Sequence, residues 1–452
     1  MKLSSLQSRL KWIGLTVLFA LMQTVSAQEE ITLKQAIQFA LENKAEAQKA
    51  RLEITRGDLK IKEAKSGALP QISASGGLQY NAIIQENALQ MQADDGQGNV
   101  VNQTMIIKMG QPWNTNASLS LYQNLFDQRV FTGLKAAKST REFYQINAKL
   151  TEEQIIQRVA TAYHQVFVTS QKLENIDASY ENTNKIKNII QSLFDNGLAK
   201  EIDLDRTKVS LVNIQSTRQQ IVNAVQLQEF ALKFYMGMPV ETPIKLVGEA
   251  SEIDYLLLEE QFDYTKRTEV AALLKQKELL GYNYEATRAL LYPTVGLTAN
   301  YGINGFGQDF PLNNSTYWSN LASIGLQVKV PIFTGFSTKS KIEQAQLDID
   351  KLDLEIKDAL LGLDLEYLTA KTEISNLIVN LDNQKANVQL AEKVFKNTQA
   401  NYQHGLAPLT ELLDAEQAYT TAKNNYSNVL LEYKVAEVAL LKARGELNKI
   451  TE

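Results

Sequence analysis

The chain has 452 residues, with 46 basic and 51 acidic side chains and a formal net charge of −5 at pH 7. This mild acidity, without any cluster of lysine and arginine, argues against a nucleic-acid partner. The chain has no cysteine, so disulfides are excluded and the fold must be held together by packing.

The start of the chain has the parts of a secretory signal. A basic segment and an apolar run over 12–22 precede the small residues Val25-Ser26-Ala27. We therefore predict a signal peptide over 1–27 that is cleaved after Ala27. The apolar run is too short to cross a bilayer as a helix, and no later stretch approaches the ~18 uninterrupted apolar residues that a transmembrane helix needs.

Residues 28–237 are interpreted as one structural repeat. Apolar residues recur at helical spacing in its outer parts, whereas two inner segments alternate apolar and polar residues, which is typical of strands with one apolar and one polar face. The predicted order is a helix over 30–66, strands over 68–80 and 116–126, and helices over 128–195 and 200–237. A polar segment with the run Asp-Asp-Gly-Gln-Gly separates the two strands.

Residues 238–262 contain two prolines, Pro239 and Pro243, and predict a connector with at most one short strand. Residues 263–452 then repeat the order of the first half. Here the predicted elements are a helix over 263–290, strands over 290–302 and 323–335, and helices over 336–402 and up to 448. We interpret the chain as an internal duplication.

Two similar turns support this duplication. The segments are FDNGLAKEIDL, which contains Gly197, and YQHGLAPLTEL, which contains Gly405. Each interrupts two long helical patterns, so we expect each glycine to reverse a helix into an antiparallel partner.

The predicted elements constrain the assembly. A helix over 336–402 would be roughly 100 Å long at ~1.5 Å per residue, so it needs other long helices beside it. On the helices alone, an ordinary long helical bundle is the favoured interpretation. Four strands, however, are too few to close a membrane barrel, which starts at about eight strands. We therefore expect several protomers to share their strands around a water-filled lumen.

The sequence resembles the TolC-like outer-membrane efflux proteins over about 29–450. The resemblance is carried by the opening segment ITLKQAIQFALENKAEAQKARLEITRGDLKIKEAKSGALPQIS and by the two glycine turns. It implies a mostly α fold with a membrane β-barrel. Four strands from each protomer of a homotrimer would form a twelve-stranded barrel, continued by a long antiparallel α-helical coiled-coil tunnel.

The resemblance also implies a function for the two turns. They would be periplasmic tips that dock an adaptor protein, and their residues are Gly197, Leu198, Ala199, Gly405, Leu406 and Ala407. The alternative is that a glycine followed by small or apolar residues is simply how antiparallel helices turn.

By the same resemblance, Glu411 and Asp414 match two acidic positions of a periplasmic gate, and Tyr402 and Asp203 match positions that link neighbouring coils. A spacing of three puts Glu411 and Asp414 on one helix face. The alternative for Glu411 is that it complements the dipole at the start of its helix. Ala407 stands where well-studied members of the family carry a linking arginine, so the closed state is expected to rest more on packing.

No feature of an enzyme is apparent. The two histidines, His164 and His404, lack partners at metal-ligand spacing, and no phosphate loop or nucleophile elbow is present. We therefore expect no catalytic residue, cofactor or metal.

The resemblance implies a passive exit duct of a tripartite efflux or type I secretion system. It would lie in outer-membrane lipid with its helices in the periplasm, and it would receive cargo from an inner-membrane pump of the RND, ABC or MFS type through a periplasmic adaptor. The alternative from another class is a periplasmic coiled-coil scaffold or adaptor without a pore.

Overall fold

The computed structural model describes residues 29–94, 96, 100–248, 262–311 and 316–451. The predicted signal peptide lies outside them. Helices make up most of the described chain, and the long ones are α1 (Leu33–Asn43), α2 (Ala45–Ser66), α3 (Gln128–Asp195), α4 (Glu201–Met236), α5 (Thr268–Arg288), α6 (Ser337–Gln403) and α7 (Leu409–Ala443). The strands are β1 (Glu29–Ile31), β2 (Gln71–Tyr80), β3 (Glu86–Asp94), β4 (Val100–Lys108), β5 (Trp113–Phe126), β6 (Ile244–Leu246), β7 (Thr294–Gly307) and β8 (Tyr317–Lys329).

The chain divides into two compact units. The helical unit comprises the residues up to Ile54, together with Tyr144–Leu274 and the residues from Leu354 onwards. The sheet unit comprises Thr55–Phe143 and Lys275–Asp353.

An antiparallel sheet in the order β2-β5-β7-β8 dominates the sheet unit. Its register aligns side chains of one kind across all four strands. One row joins Ile72, Leu121, Ala299 and Ile324, and the next row joins Ser73, Ser120, Asn300 and Ser323. Because successive residues of a strand point to opposite faces, the sheet has one apolar and one polar face. The predicted alternation is confirmed, with strand ends shifted by a few residues.

The sheet accepts its larger aromatic residues where a neighbouring strand has glycine. A Cβ atom on Gly296 would lie 2.8 Å from Cε2 of Tyr122, so only glycine leaves room for this ring on the polar face. The Tyr122 hydroxyl then donates a hydrogen bond to Asn124 over 3.0 Å.

A second hairpin follows β2 and was not predicted. The polar segment between the first two predicted strands folds as β3 and β4, which pair antiparallel from Glu86 opposite Lys108 to Asp94 opposite Val100. Leu89 lies opposite Met105 and Met91 lies opposite Gln103, so apolar side chains alternate along one face of the hairpin.

In the helical unit, the predicted helix over 30–66 is divided, and a short strand precedes it. The helix breaks at Lys44, whose Nζ donates a hydrogen bond to the Phe234 carbonyl over 2.6 Å and lies 3.8 Å from the centre of the Phe234 ring. The carbonyl belongs to the last turn of α4, so Lys44 caps that helix. Gly237, with φ 76°, follows the end of α4 and lies against the backbone of Lys44. A Cβ atom added to Gly237 would lie 3.0 Å from Cα of Lys44.

The connector holds one short strand, as predicted. Strand β6 pairs parallel with β1. The Tyr163 hydroxyl donates hydrogen bonds to the carbonyls of Ile31 (3.1 Å) and Val247 (2.8 Å), and burial raises its pKa to about 12. Residues 249–261 of the connector lie outside the described residues.

A buried arginine ties the start of α5 to α6 and α7. Arg267, only 2% exposed, donates to the Ala443 carbonyl over 2.9 Å. Its guanidinium also pairs with Glu366 at 2.9 Å and with Glu269 at 3.0 Å. Since every strong donor of this buried cation needs a partner, the network fixes three helices at one point.

Candidate functional site: the hairpin tips

The turn between α3 and α4 is a Schellman motif. Gly197 has φ 74°, its N–H donates to the Phe194 carbonyl over 2.8 Å, and the Leu198 N–H donates to the Leu193 carbonyl over 2.7 Å. These two bonds satisfy carbonyls that the end of a helix would leave unpaired.

The turn between α6 and α7 repeats the same geometry. Gly405 has φ 72°, its N–H donates to the Tyr402 carbonyl over 3.0 Å, and the Leu406 N–H donates to the Asn401 carbonyl over 2.8 Å. At Gly197 and Gly405 alike, an added Cβ would meet nothing within 4 Å. The left-handed backbone, and not crowding, therefore requires glycine at both turns.

Each turn presents one apolar side chain to solvent. Leu198 and Leu406 are both 76% exposed in the protomer. The alanines that follow them, Ala199 and Ala407, are half-buried. The two leucines thus occupy matching, exposed positions in the two turns.

The two tips belong to one packed cluster. Side chains of α3, α4, α6 and α7 meet there. The buried members are Ile186, Ile190, Leu204, Phe395, Leu409, Leu412 and Ala415. Ala199 and Tyr402 pack against them from the turns. The cluster therefore holds the two turns together within one protomer.

Glu411 and Asp414 lie on the exposed face of α7. Leu412, which lies between them in sequence, and Ala415, which follows Asp414, are buried in the cluster, so the two acidic side chains share the opposite face. Glu411 lies in the first turn of the helix, after Pro408, where a negative charge complements the helix dipole. Asp414 lies beyond that turn, so the dipole does not account for it.

Tyr402 and Asp203 are brought close together across the two turns. Burial of the half-buried phenol, and then the negative charge of Asp203, raise the pKa of Tyr402. Within the described protomer, the Asp203 carboxylate pairs with Arg206 on its own helix at 3.5 Å. The charge of Asp203 thus acts on Tyr402 within one protomer, while Ile202 and Ala407 have no polar side chain.

Sequence analysis missed a buried acid on α7, two residues beyond Asp414. Glu416 is 3% exposed and accepts hydrogen bonds from the hydroxyls of Ser179 on α3 and of Thr420 (3.0 Å). Burial raises the pKa of Glu416, although both hydrogen bonds oppose this rise. A signal was available, because Glu416 and Thr420 continue the buried helical stripe of Leu409 and Leu412.

His404 is exposed in the turn. Within the ranges that the structure describes, no group of three acidic or histidine side chains could hold a metal ion. Among the described helices, none combines the length and the hydropathy needed to cross a membrane.

Comparison with known proteins agrees with this geometry. A family described as outer membrane efflux protein matches residues 36–238 and 265–446. The outer membrane protein TolC of Salmonella enteritidis is 23% identical over 410 residues, which cover 86% of this chain and 77% of that protein. The alkaline protease secretion protein AprF of Pseudomonas aeruginosa is 23% identical over 350 residues, which cover 74% of this chain and 70% of that protein.

Among solved structures, the Campylobacter jejuni CmeC outer membrane channel has the same fold. Its TM-score is 0.69 at 17% identity, and the match covers 92% of this chain and 85% of that one. The resemblance stated from the sequence is thus confirmed, as are the predicted outer-membrane location and the role in efflux. With the family match covering most of its length, the chain belongs to the outer membrane efflux protein family.

Proposed function

We propose that this protein is the exit duct of a tripartite efflux or type I secretion system, through which cargo leaves passively. An inner-membrane pump of the RND, ABC or MFS type would supply the energy, and a periplasmic adaptor would join pump and duct. The observation that carries this proposal is the four-stranded sheet, because it has one apolar face, one polar face and two open edges.

The open edges support a homotrimer. Strands β2 and β8 each pair on one side only. Backbone groups cannot stay unpaired inside a bilayer, so an edge strand there needs a partner. Three protomers would close a barrel of twelve strands, with β8 of one protomer beside β2 of the next. The repeats proposed for 28–237 and 263–452, joined by the connector 238–262, would each contribute two strands and one helical hairpin.

The two faces of the sheet suit the two surroundings of such a barrel. The apolar row with Ile72 and Leu121 would contact outer-membrane lipid, and the row with Ser73 and Asn300 would line the lumen. Hydroxyl and amide groups interact with water without a strong charge preference, so the barrel would admit many cargos.

The tips would meet the adaptor. Leu198 and Leu406 are the apolar anchors, and six such leucines would ring the inner end of a trimer. Gly197 and Gly405 hold the turns, while Ala199 and Ala407 leave room for an approaching partner.

The acidic face of α7 would form the constriction of the tunnel. In a trimer, Glu411 and Asp414 become rings of three carboxylates each, which favour cations. Tyr402 and Asp203 would help to hold the entrance closed, and packing of the tip cluster would supply the rest.

Membrane fractionation and planar-bilayer recording test the proposal together. We expect the protein to be in the outer-membrane fraction, to run as a trimer after mild cross-linking, and to conduct ions. The competing function is a periplasmic scaffold without a pore. A soluble, electrically silent protein would support the scaffold and refute the duct.

A further inference from the structure

A cavity of about 380 Å³ opens at the end of the sheet where β7 begins and β8 ends. Its residues belong to the sheet unit. Lys329 lines it and pairs in the sheet with Thr294. This pair lies two residues along from the pair Gln327 and Gly296, and so on the same face of the sheet. The cavity therefore lies on the polar face of the sheet, at the end from which α6 continues.

The cavity has excess positive charge. Arg129, Lys329 and Lys341 all line it. The Arg129 guanidinium is held by Asp127, with an Nη2–Oδ2 distance of 2.6 Å, so its charge is matched and its position is fixed. Neither Lys329 nor Lys341 has a carboxylate partner among the described residues, which leaves two ammonium groups unmatched.

A threonine lies beside these charges. Thr338 lines the cavity, and its hydroxyl can donate a hydrogen bond to an anion there. Thr338 also lies in the first turn of α6, where the helix dipole favours a negative charge.

A strained turn holds this wall in place. Gly335 has φ 60° and Phe336 has φ 64°, and Phe336 is the non-glycine residue with positive φ among the described residues. A bulky residue rarely adopts this conformation, and such strain is concentrated at ligand sites and switch regions. Here it directs the start of α6 towards the cavity.

Apolar groups complete the lining. Leu290 and Tyr292 lie in the wall together with the basic residues. We propose that the cavity binds an amphipathic organic anion, whose sulfonate, carboxylate or phosphate contacts Lys329, Lys341 and Thr338 while its apolar body packs on Leu290 and Tyr292. If the proposed duct is correct, this site faces the lumen and is a stopping point for anionic cargo.

Calorimetric titration of naphthalene-2-sulfonate into the detergent-solubilised full-length protein tests the site. The double variant Lys329→Gln/Lys341→Gln removes both unmatched charges and keeps polar side chains at exposed positions. We expect its affinity to fall at least about tenfold, because hydrogen bonds to charged groups are lost. Lys339→Gln is the matched control, since Lys339 is on the same helix but pairs with Glu343 at 3.9 Å and does not line the cavity.

Each outcome decides the proposal. Loss of affinity in the double variant alone supports it. Unchanged affinity in the double variant, an equal loss in the control, equal binding of neutral 2-naphthalenemethanol, or no binding to the parent protein would each overturn it. The titration does not depend on channel conductance, so the two proposals can fail separately. A protein that binds the probe but does not conduct ions would refute the duct and support the site. A protein that conducts ions but does not bind the probe would support the duct and refute the site.

Discussion

The Ser179 hydroxyl on α3 donates a hydrogen bond to the Glu416 carboxylate on α7, only two residues beyond the exposed Asp414. One helix thus carries an acid on its solvent face and another in its packed face within less than one turn. Lys423 on the same helix is the cation that acts on Glu416, and it lowers the pKa that burial raises.

This buried acid should make the stability of the protein depend on pH. Because the folded-state pKa of Glu416 lies above its ordinary value of 4.5, ionisation disfavours the folded state. The cost is absent below the ordinary pKa and fully present above the folded-state pKa. We therefore expect Glu416→Gln to stabilise the protein most at neutral pH, with the gain shrinking as the pH falls towards 4.5.

Thermal midpoints of the detergent-solubilised protein across this pH range measure the effect. The variant Gln417→Asn, at an exposed position of the same helix, is the control; it changes no titratable group and should differ from the parent by a constant amount. A constant difference for Glu416→Gln as well would show that the buried carboxyl is not linked to folding.

The turn glycines should be intolerant of any side chain. Gly405→Ala should lower the free energy of unfolding by about 1–2 kcal/mol, because its φ of 72° strains an L-residue although no atom lies within 4 Å. Gly362, inside α6, also has no atom within 4 Å, so Gly362→Ala should instead stabilise by roughly 1 kcal/mol. Denaturant unfolding of both variants measures the contrast, and equal effects would contradict it.

The exposed leucines should matter for docking and not for folding. Leu198→Asp and Leu406→Asp should leave the thermal midpoint unchanged, since both side chains are 76% exposed. Together they should weaken binding of the adaptor at least about tenfold, because each leucine buries apolar surface only in the complex. Gln403→Asp adds a charge to the same tip without removing a leucine, and it should bind almost normally. Normal binding by the leucine variants would exclude the tips as the docking surface.

Removing the Tyr402 hydroxyl should loosen the entrance. Tyr402→Phe keeps the ring in the tip cluster and removes the group next to Asp203, so we expect a higher single-channel conductance without loss of stability. Tyr419→Phe is the control, because Tyr419 packs on the same cluster by stacking on Phe395 with ring centres 5.9 Å apart. Unchanged current in Tyr402→Phe would remove this residue from the gate.

The acidic face of α7 should set the response to cations. The double variant Glu411→Gln/Asp414→Asn should lose its preference for cations in bilayer recordings. Block by hexaamminecobalt should need at least about a tenfold higher concentration of the ion, because multivalent cations bind most strongly to rings of carboxylates. Exposed Glu201, in the first turn of α4, offers a control as Glu201→Gln. An unaltered block in the double variant would place the constriction elsewhere.

The sequence predicted those parts of the fold that have a strict local pattern. Alternation located the four sheet strands, since each has one apolar and one polar face. The Gly-Leu-Ala segments located both turns, because a Schellman motif needs glycine whatever surrounds it. Hairpin β3–β4 was missed because its glutamines and asparagines suggest a loop, although Leu89 and Met91 alternate within it.

Features that depend on distant residues were beyond local patterns. The break at Lys44 contains neither proline nor glycine. There the Lys44 ammonium donates a hydrogen bond to the carbonyl of Phe234, a residue far away in sequence. The approach of Asp203 to Tyr402 likewise results from packing of two turns that are far apart in sequence. The tip residues themselves were named in advance by resemblance to a family, whereas the burial of Glu416 became visible only in the packed helices.

The Arg267 network has a mechanical consequence for the helical unit. It clamps α6 at Glu366, from which the helix runs roughly 55 Å further to its turn at ~1.5 Å per residue. A rod held at one end acts as a lever, so a tilt of a few degrees about the clamp displaces the far end by several ångströms while the clamped end stays still. If the tips form the entrance proposed above, such a tilt would widen it while the buried ion pairs that fix these helices remain intact.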